Sequence, residues 1–533
     1  MQSKLNNYIF LIYSGFLLIF FLIIGGGPVT NDEIKFIYFA NFNILPVDLI
    51  GRFGHIYLLK LVSFLNFDPI FSSTLLWAII ISFINFFIIK IIFKLTENSY
   101  LYSFMGSILF LIHTVISKNL GVLYSDTILM LYFTLFIFLA IQFYQLSSNL
   151  IKNKNLYILN VIALYLLFYT AILTKPTSIV LLLPLIYLFI SLKKNLFFEI
   201  FMGFLCLLIF LLLTSFFDYL ITKDFFYKFS FNSLDNSIAN NLFNKKYFSE
   251  STNWFSAIFI SPFIFIFFNF IIWSLKIDRN NKVLILIFLS IISLLFFLSF
   301  IVYYSPRVII RHFTPAYPLL CIINILLLKD YLSKIRFKEL SQIRDLKFFY
   351  FIIIPVIILI IIIIYILIYQ RYDWTISNLA KFIIYPSIIL FLFFRKIINE
   401  KIYSLLFCSI YFFYIFSLLI FFPQNIIYAK NKYETRVEPL YYFLENIDYE
   451  EGSNLLISES FMFDKNKGGR ETLLKILTNE EINIFNSGSS YLHTVNQFDF
   501  IITRDNENLK DFNINNSNYD KLIYKNFIYY LRK

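Results

Sequence analysis

Thirteen apolar runs, each on the scale of the roughly 20 residues that cross the hydrocarbon core of a bilayer, dominate this chain. They lie at about 8–24, 70–93, 101–116, 124–144, 157–173, 178–192, 196–216, 254–275, 283–303, 312–328, 348–368, 379–394 and 402–422. In lipid every backbone N–H and C=O must find its partner inside the segment, so such runs are expected to be helices. Composition excludes a water-soluble fold. At 59% hydrophobic and 15% charged, with a mean hydropathy of +0.74, the chain carries more apolar surface than a soluble core can hide. The 70 Phe accompany an excess of Ile, Asn and Lys and read as compositional bias, not as stacking platforms.

The net charge of +12 does not point to nucleic acid, because the basic residues fall in short loops between the runs rather than in one patch. Loops on the side of the N-terminus contain "KNK" (152–154), "KK" (193–194), "KIDRNNK" (276–282), the Lys- and Arg-rich 329–347 and "RKIINEK" (395–401). Their short counterparts hold one or two basic residues each: Lys118, Lys175, Arg307 with Arg311, and Arg371. The positive-inside rule makes the first side cytoplasmic, and an odd number of spans sends the C-terminus outside. The apolar stretch after Lys4 lacks a small-x-small cleavage site and is kept as the first span rather than a signal peptide. Cys206, Cys321 and Cys408 all lie inside apolar runs without CxxC spacing, so they point to neither disulfide nor metal.

From residue 423 the composition changes: 16 of the 33 acids fall in this last fifth of the chain. Strand signals at 454–458, 482–487 and 498–503, a helix signal at 470–479 and a final segment 519–533 predict a small α/β unit. The expected fold is therefore an α-helical polytopic membrane domain (1–422, about 13 transmembrane helices) followed by a soluble extracytoplasmic α/β domain (423–533). Two long outer loops, 25–69 and 217–253, place function on the non-cytoplasmic face.

Three acids share that outer level. Asp32 and Glu33 stand adjacent in "GGGPVTNDEIKF", and Asp126 opens the fourth span in "LYSDTILMLYF". Each admits a structural explanation, since Thr30 or Asn31 and Ser125 with Asp126 cap helices whose first turns welcome negative charge. Each also suits a carboxylate that takes a proton from an acceptor hydroxyl or holds a cation at the membrane surface. Basic residues at the same level complete a phosphate site: Arg52 and His55 in "GRFGHIYLLKL", Lys175 in "TKPTS", and Arg307, Arg311 and His312 in "SPRVIIRHFTPAYP". Arg307 and Arg311 have i,i+4 spacing and can present both guanidinium forks to one phosphate, although a single interfacial Arg or Lys commonly snorkels to lipid head groups. His113 and His493 are read as structural, and no P-loop, HExxH, GxSxG or zinc spacing is present.

Paired "DE" in the first outer loop, "YSD" at the outer start of a later span, "TKPT" after the fifth span and R-H-F-x-P-x-x-P at the tenth together resemble the C-type (GT-C) membrane glycosyltransferases. The span count and external C-terminal domain are similar to the protein O-mannosyltransferase and aminoarabinose-transferase branch. The resemblance implies transfer of a sugar from a polyprenyl-phosphate donor to a surface glycan, lipid or protein on the outer face of a plasma membrane, the bacterial inner membrane. It implies Asp32 as general base with Glu33 assisting, Asp126 near the acceptor or a divalent cation, and Arg307 and Arg311 on the lipid phosphate. One element departs: where the aminoarabinose branch shows an acid-lysine-proline element, this chain has "GRFGHIYLLKL", closer to the "GR" of glucosyltransferase-like GT-C proteins, and donor and acceptor stay open. A flippase or transporter for lipid-linked sugars, and a polysaccharide polymerase or ligase, are the rival readings. A transporter would set its ionisable residues near the bilayer midplane rather than at one surface.

Overall fold

Every apolar run that falls within the described residues is helical. The computed structural model describes residues 2–24, 31–43, 53–113, 116–117, 119–147, 154–191, 196–225, 282–304, 314–334, 400–458, 469–486, 498–504, 518–525 and 527–532. The runs at 254–275, 348–368 and 379–394 lie outside them. In chain order the membrane helices are α1 (Gln2–Ile24), α4 (Pro69–Leu95), α5 (Tyr100–Ile112), α6 (Ser125–Ser147), α7 (Lys154–Thr174), α8 (Leu182–Ser191, entered through a 3-10 turn Pro176–Leu181), α9 (Leu196–Thr222), α10 (Lys282–Tyr304), α11 (Tyr317–Lys334) and α12 (Glu400–Arg436). Between α1 and α4 lie two short helices, α2 (Asn31–Asn41) and α3 (Phe53–Ser63). Among the described residues six helices are long and apolar enough to cross a membrane: α1, α4, α6, α7, α9 and α11.

Burial separates the centre of the bundle from its lipid face. Only 17% of the α1 span and 22% of the α9 span is buried, whereas α4, α6 and α11 are 67%, 72% and 78% buried. Leu11, Phe16, Phe204 and Leu212 are accordingly exposed, as side chains that meet lipid must be. Helix α4 packs against α1, α5, α6 and α11. Inside lipid, hydrogen bonds hold such helices together. Here Tyr13 Oη meets Ser107 Oγ at 3.0 Å, and Ser107 donates to Asn85 Oδ1 at 2.8 Å, joining α1, α5 and α4.

The ends of the helices sort by face as the loop charges require. Lys94 reaches Gln145 at 3.2 Å, Lys282 reaches the Ser191 carbonyl at 2.7 Å and Lys329 pairs with Glu97 at 3.4 Å, so basic residues gather at the end distant from α2 and α3. At the other end Asp68 caps α4, its Oδ1 accepting from Ile70 N and Phe71 N at 2.9 Å, with Pro69 in the first turn where its missing N–H costs nothing.

Helix α12 does not stop at residue 422. It runs through Pro423 to Arg436, so the composition change at 423 falls inside a helix, and α13 (Glu438–Asn446) follows at once. Beyond it are β1 (Asn454–Ile457), α14 (Gly469–Leu477), β2 (Asn483–Asn486), β3 (Phe500–Arg504), β4 (Tyr519–Tyr524) and β5 (Phe527–Arg532). The sheet order is β2-β1-β3-β5-β4, parallel over the first three strands and antiparallel at β3-β5 and β5-β4. The final segment 519–533 is thus a hairpin, turned at Lys525 with φ 54°. Leu455, Ile457, Leu473 and Leu474 bury the parallel half against α14.

This domain rests on the segment between α1 and α4. Helix α14 packs on α2, Tyr38 Oη donates to Glu480 Oε1 at 2.6 Å, and Tyr441 Oη donates to Asp68 Oδ1 at 3.0 Å. The hydrogen bond to Glu480, with burial, pushes the Tyr38 phenol up to about 12. The C-terminal domain and residues 31–68 therefore share one face of the bundle.

Candidate active site

Helix α2 carries the paired carboxylates to the place where α3, α4 and the start of α6 meet. Asp32 stands in its first turn, and the Asp32 side chain lies outside the described atoms. Glu33 is fully buried. Its Oε1 accepts from the Leu123 backbone N–H at 2.6 Å and from Ser73 Oγ at 3.2 Å. One carboxylate therefore ties α2 both to α4 and to the segment leading into Asp126. A buried charge needs such donors, because desolvation costs several kcal/mol and hydrogen bonds must offset it.

Helix α3 adds a second contact to the same segment. His55 is fully buried, with its ring 4.4 Å from that of Phe36 and Nδ1 3.1 Å from Ser125 Oγ. Gly54 makes the approach possible. A Cβ at this position would stand 2.4 Å from Thr174 Oγ1 and 3.0 Å from Thr174 Cα, too close for any other residue without movement of backbone. The glycine of "GRFGH" thus presses α3 onto the end of α7.

Just past that end, Lys175 breaks from the helix because Pro176 disfavours helical geometry in the residue before it. Lys175 is extended at φ −161°, and its Nζ meets Asp126 Oδ1 at 2.5 Å, with both side chains 8% exposed. The sequence reading gave these two residues separate partners, a phosphate and an acceptor or metal; the fold pairs them with each other. An ammonium at this distance already matches the Asp126 charge, which is unfavourable for a divalent cation on the same carboxylate. Among the described residues no three His, Cys, Asp or Glu side chains gather as a metal cluster.

The layer continues to α9, where Tyr57 Oη donates to the buried Asp218. Neither residue was singled out from sequence. Asp218 had a signal, an acid inside the apolar "SFFDYLI", whereas Tyr57 and Ser73 had none. Beneath Asp126 a cavity of about 20 Å³, room for roughly one water, is walled by Trp77, Tyr124, Thr127, Met130 and Thr314. Thr314, the fourth residue of the R-H-F-x-P-x-x-P stretch, begins the turn into α11 and lines this cavity. Arg52, Arg307, Arg311 and His312 lie outside the described residues.

The arrangement of the whole chain has a counterpart among solved structures. It is similar to ArnT from Cupriavidus metallidurans bound to undecaprenyl phosphate, with a TM-score of 0.59, 11% identity, and coverage of 98% of this chain and 97% of that one. The chain has the ArnT fold. ArnT in the apo state superimposes with a TM-score of 0.55 at 11% identity over 99% of this chain and 98% of the other. No known protein family and no curated protein sequence matches the chain. At this identity the likeness shows the fold, and together with the apolar helices it supports an integral membrane protein.

Proposed function

We propose that this protein is a membrane glycosyltransferase that moves one glycosyl unit from a polyprenyl-phosphate donor to a glycan, lipid or protein acceptor on the non-cytoplasmic face. The observation that carries the reading is the buried polar layer at the outer end of an ArnT-like bundle: Glu33, His55, Ser125, Asp126 and Lys175, brought together from four separate stretches of chain. A layer of that kind costs stability in a protein of this hydropathy, and a reaction at the lipid head group gives it a use.

In this reading Asp32 takes the proton from the acceptor hydroxyl. The acceptor oxygen forms its bond to the anomeric carbon while the bond from that carbon to the lipid phosphate breaks, and its electron pair leaves on the phosphate. Arg52, Arg307, Arg311 and His312 supply the positive charge that the departing phosphate needs. Glu33 acts beneath Asp32 by holding α2 against Leu123 and Ser73, and Lys175 fixes Asp126 at the edge of the cavity. The C-terminal domain, docked on α2, faces the acceptor.

The test is transfer of labelled sugar from polyprenyl-phosphate donors to membrane acceptors by wild type and Asp32→Asn, each verified as folded. Transfer by wild type and its loss in the variant are expected. Equal transfer by both removes Asp32 as the base. Net movement of labelled lipid across vesicles that Asp32→Asn leaves unchanged, with no transfer, refutes the enzyme in favour of a flippase.

A further inference from the structure

The end of α4 distant from the carboxylate layer carries two lysines that the reaction does not use. Phe83, Phe87, Lys90 and Lys94 recur along this helix at i, i+4, i+7 and i+11, which sets them on one face. Phe83 is 49% exposed, so that face opens to lipid. The neighbouring helix α6 supplies a second wall. Phe138 and Gln145 stand i,i+7 on it, Phe138 is buried, and its ring lies 5.0 Å from that of Phe87. Both ammonium groups come to this one ring, Lys94 Nζ at 5.3 Å and Lys90 Nζ at 5.9 Å from its centroid, and Lys90 Nζ lies 4.8 Å from the Phe86 ring as well. Lys94 also donates to Gln145 Oε1 at 3.2 Å. Two cations of one helix are thus gathered by aromatic faces and an amide oxygen, groups that attract an ammonium without neutralising it.

Lys90 and Lys94 are i,i+4 to each other, a like-charge spacing that works against the helix unless an anion joins them. Neither has a carboxylate within ion-pair distance among the described residues. The acid nearest in sequence, Glu97, pairs with Lys329 of α11 at 3.4 Å instead. On the extension of α12, by contrast, Lys430 has Glu434 at i,i+4 and 3.7 Å. Depth fits a lipid head group. Counted from the Asp68 cap at about 1.5 Å per residue, Lys90 lies about 33 Å and Lys94 about 39 Å along α4, around the far edge of a hydrocarbon core roughly 30 Å thick. A single lysine near a helix end snorkels to that level unaided. Two that converge on one buried ring of a second helix make a site.

We propose that Lys90, Lys94 and Phe138 form a binding site for the phosphate of an anionic glycerophospholipid in the leaflet opposite the carboxylate layer. The two ammonium groups share the phosphate oxygens, and an acyl chain runs back along the stacked rings of Phe87 and Phe83 toward the middle of the bilayer. A zwitterionic head group is disfavoured, because its own cation meets two more. The bound lipid bridges α4 and α6, and the site stands whether or not the chain transfers sugar.

The experiment places the purified full-length protein in phosphatidylcholine nanodiscs, raises the fraction of phosphatidylglycerol, and counts the lipid retained by native mass spectrometry. Wild type is compared with Lys90→Gln, Lys94→Gln, the double Gln variant, and Lys90→Arg combined with Lys94→Arg. Lys282→Gln serves as control, removing a cation at the same end that donates to the Ser191 carbonyl. Each Gln substitution at Lys90 or Lys94 is expected to weaken retention about fivefold, while the double Arg variant and Lys282→Gln stay near wild type. Unchanged retention in the double Gln variant overturns the site. So does an equal loss in Lys282→Gln, equal retention of phosphatidylcholine, or full competition by inorganic phosphate at matched concentration. If the Gln variants fail to fold, Phe83→Trp in the otherwise wild-type chain decides. Its added fluorescence should be quenched more by bromine-labelled phosphatidylglycerol than by bromine-labelled phosphatidylcholine at the same mole fraction, and equal quenching overturns the proposal.

Discussion

Replacing Lys175 by Met strips the counter-charge from a carboxylate that has almost no access to water. Asp126 and Lys175 lie 2.5 Å apart with side chains 8% exposed, so neither can recover its solvation in place. Breaking a buried pair from one side costs about 3–5 kcal/mol, because the remaining charge is left uncompensated. Lys175→Met and Asp126→Asn should each lose that much. The double variant carries no charge at the site and should lose far less, since exchanging a buried pair for neutral groups is commonly close to neutral. The coupling energy of the cycle should therefore reach about 3 kcal/mol or more, over a hundredfold in the unfolding equilibrium. Unfolding in mixed micelles followed by tryptophan fluorescence measures it, with Trp77 on the wall of the cavity that Asp126 borders. Single variants that cost under about 1 kcal/mol, or a double variant equal to their sum within about 0.5 kcal/mol, would refute the claim that burial makes this pair indispensable.

Gly54→Ala forces a Cβ to within 3.0 Å of the Thr174 backbone, so α3 must shift; a loss of about 1–3 kcal/mol in stability, with weakened transfer as His55 leaves Ser125, is expected from unfolding and activity assays. Glu33→Gln keeps the shape but removes the charge that accepts from Leu123 N–H and Ser73, and should cost about 1.5–3 kcal/mol, with faster amide exchange at Leu123 as the local readout. In the C-terminal domain, burial works to raise the Glu438 carboxyl, but hydrogen bonds from Lys525 and Tyr524 outweigh it and hold it below the ordinary 4.5. Its contribution is present above that value and is lost as pH falls through the lowered folded one. Comparing wild type with Glu438→Gln should show a gap that closes below about pH 4; the pair is 35–42% exposed, so screening limits the gap to about 0.2–1 kcal/mol.

The membrane helices were readable because crossing a bilayer is a local demand: "PIFSSTLLWAIIISFINFF" is long and apolar enough whatever surrounds it. Helix α3 was not, since its 11 residues are too short to span and their pattern resembles loop. The boundary at 423 was drawn from composition, and the helix ignored it because backbone hydrogen bonding continues through a change from apolar to polar side chains. Within the site, Asp126 and Lys175 were found by their place at helix ends, but their pairing was not foreseen.

The sequence by itself determined that this is a helical membrane protein, which helix ends carry the charge, and that an α/β domain follows, because run length and residue spacing are written along one stretch of chain. Tertiary structure alone decided who meets whom. Leu123 lies 90 residues from Glu33, Lys175 49 from Asp126, Asp218 161 from Tyr57 and Asn425 308 from Ser117. At such separations no local pattern selects a partner. The choice falls to helix packing, which brings one donor rather than another to a buried acceptor that cannot remain unpaired.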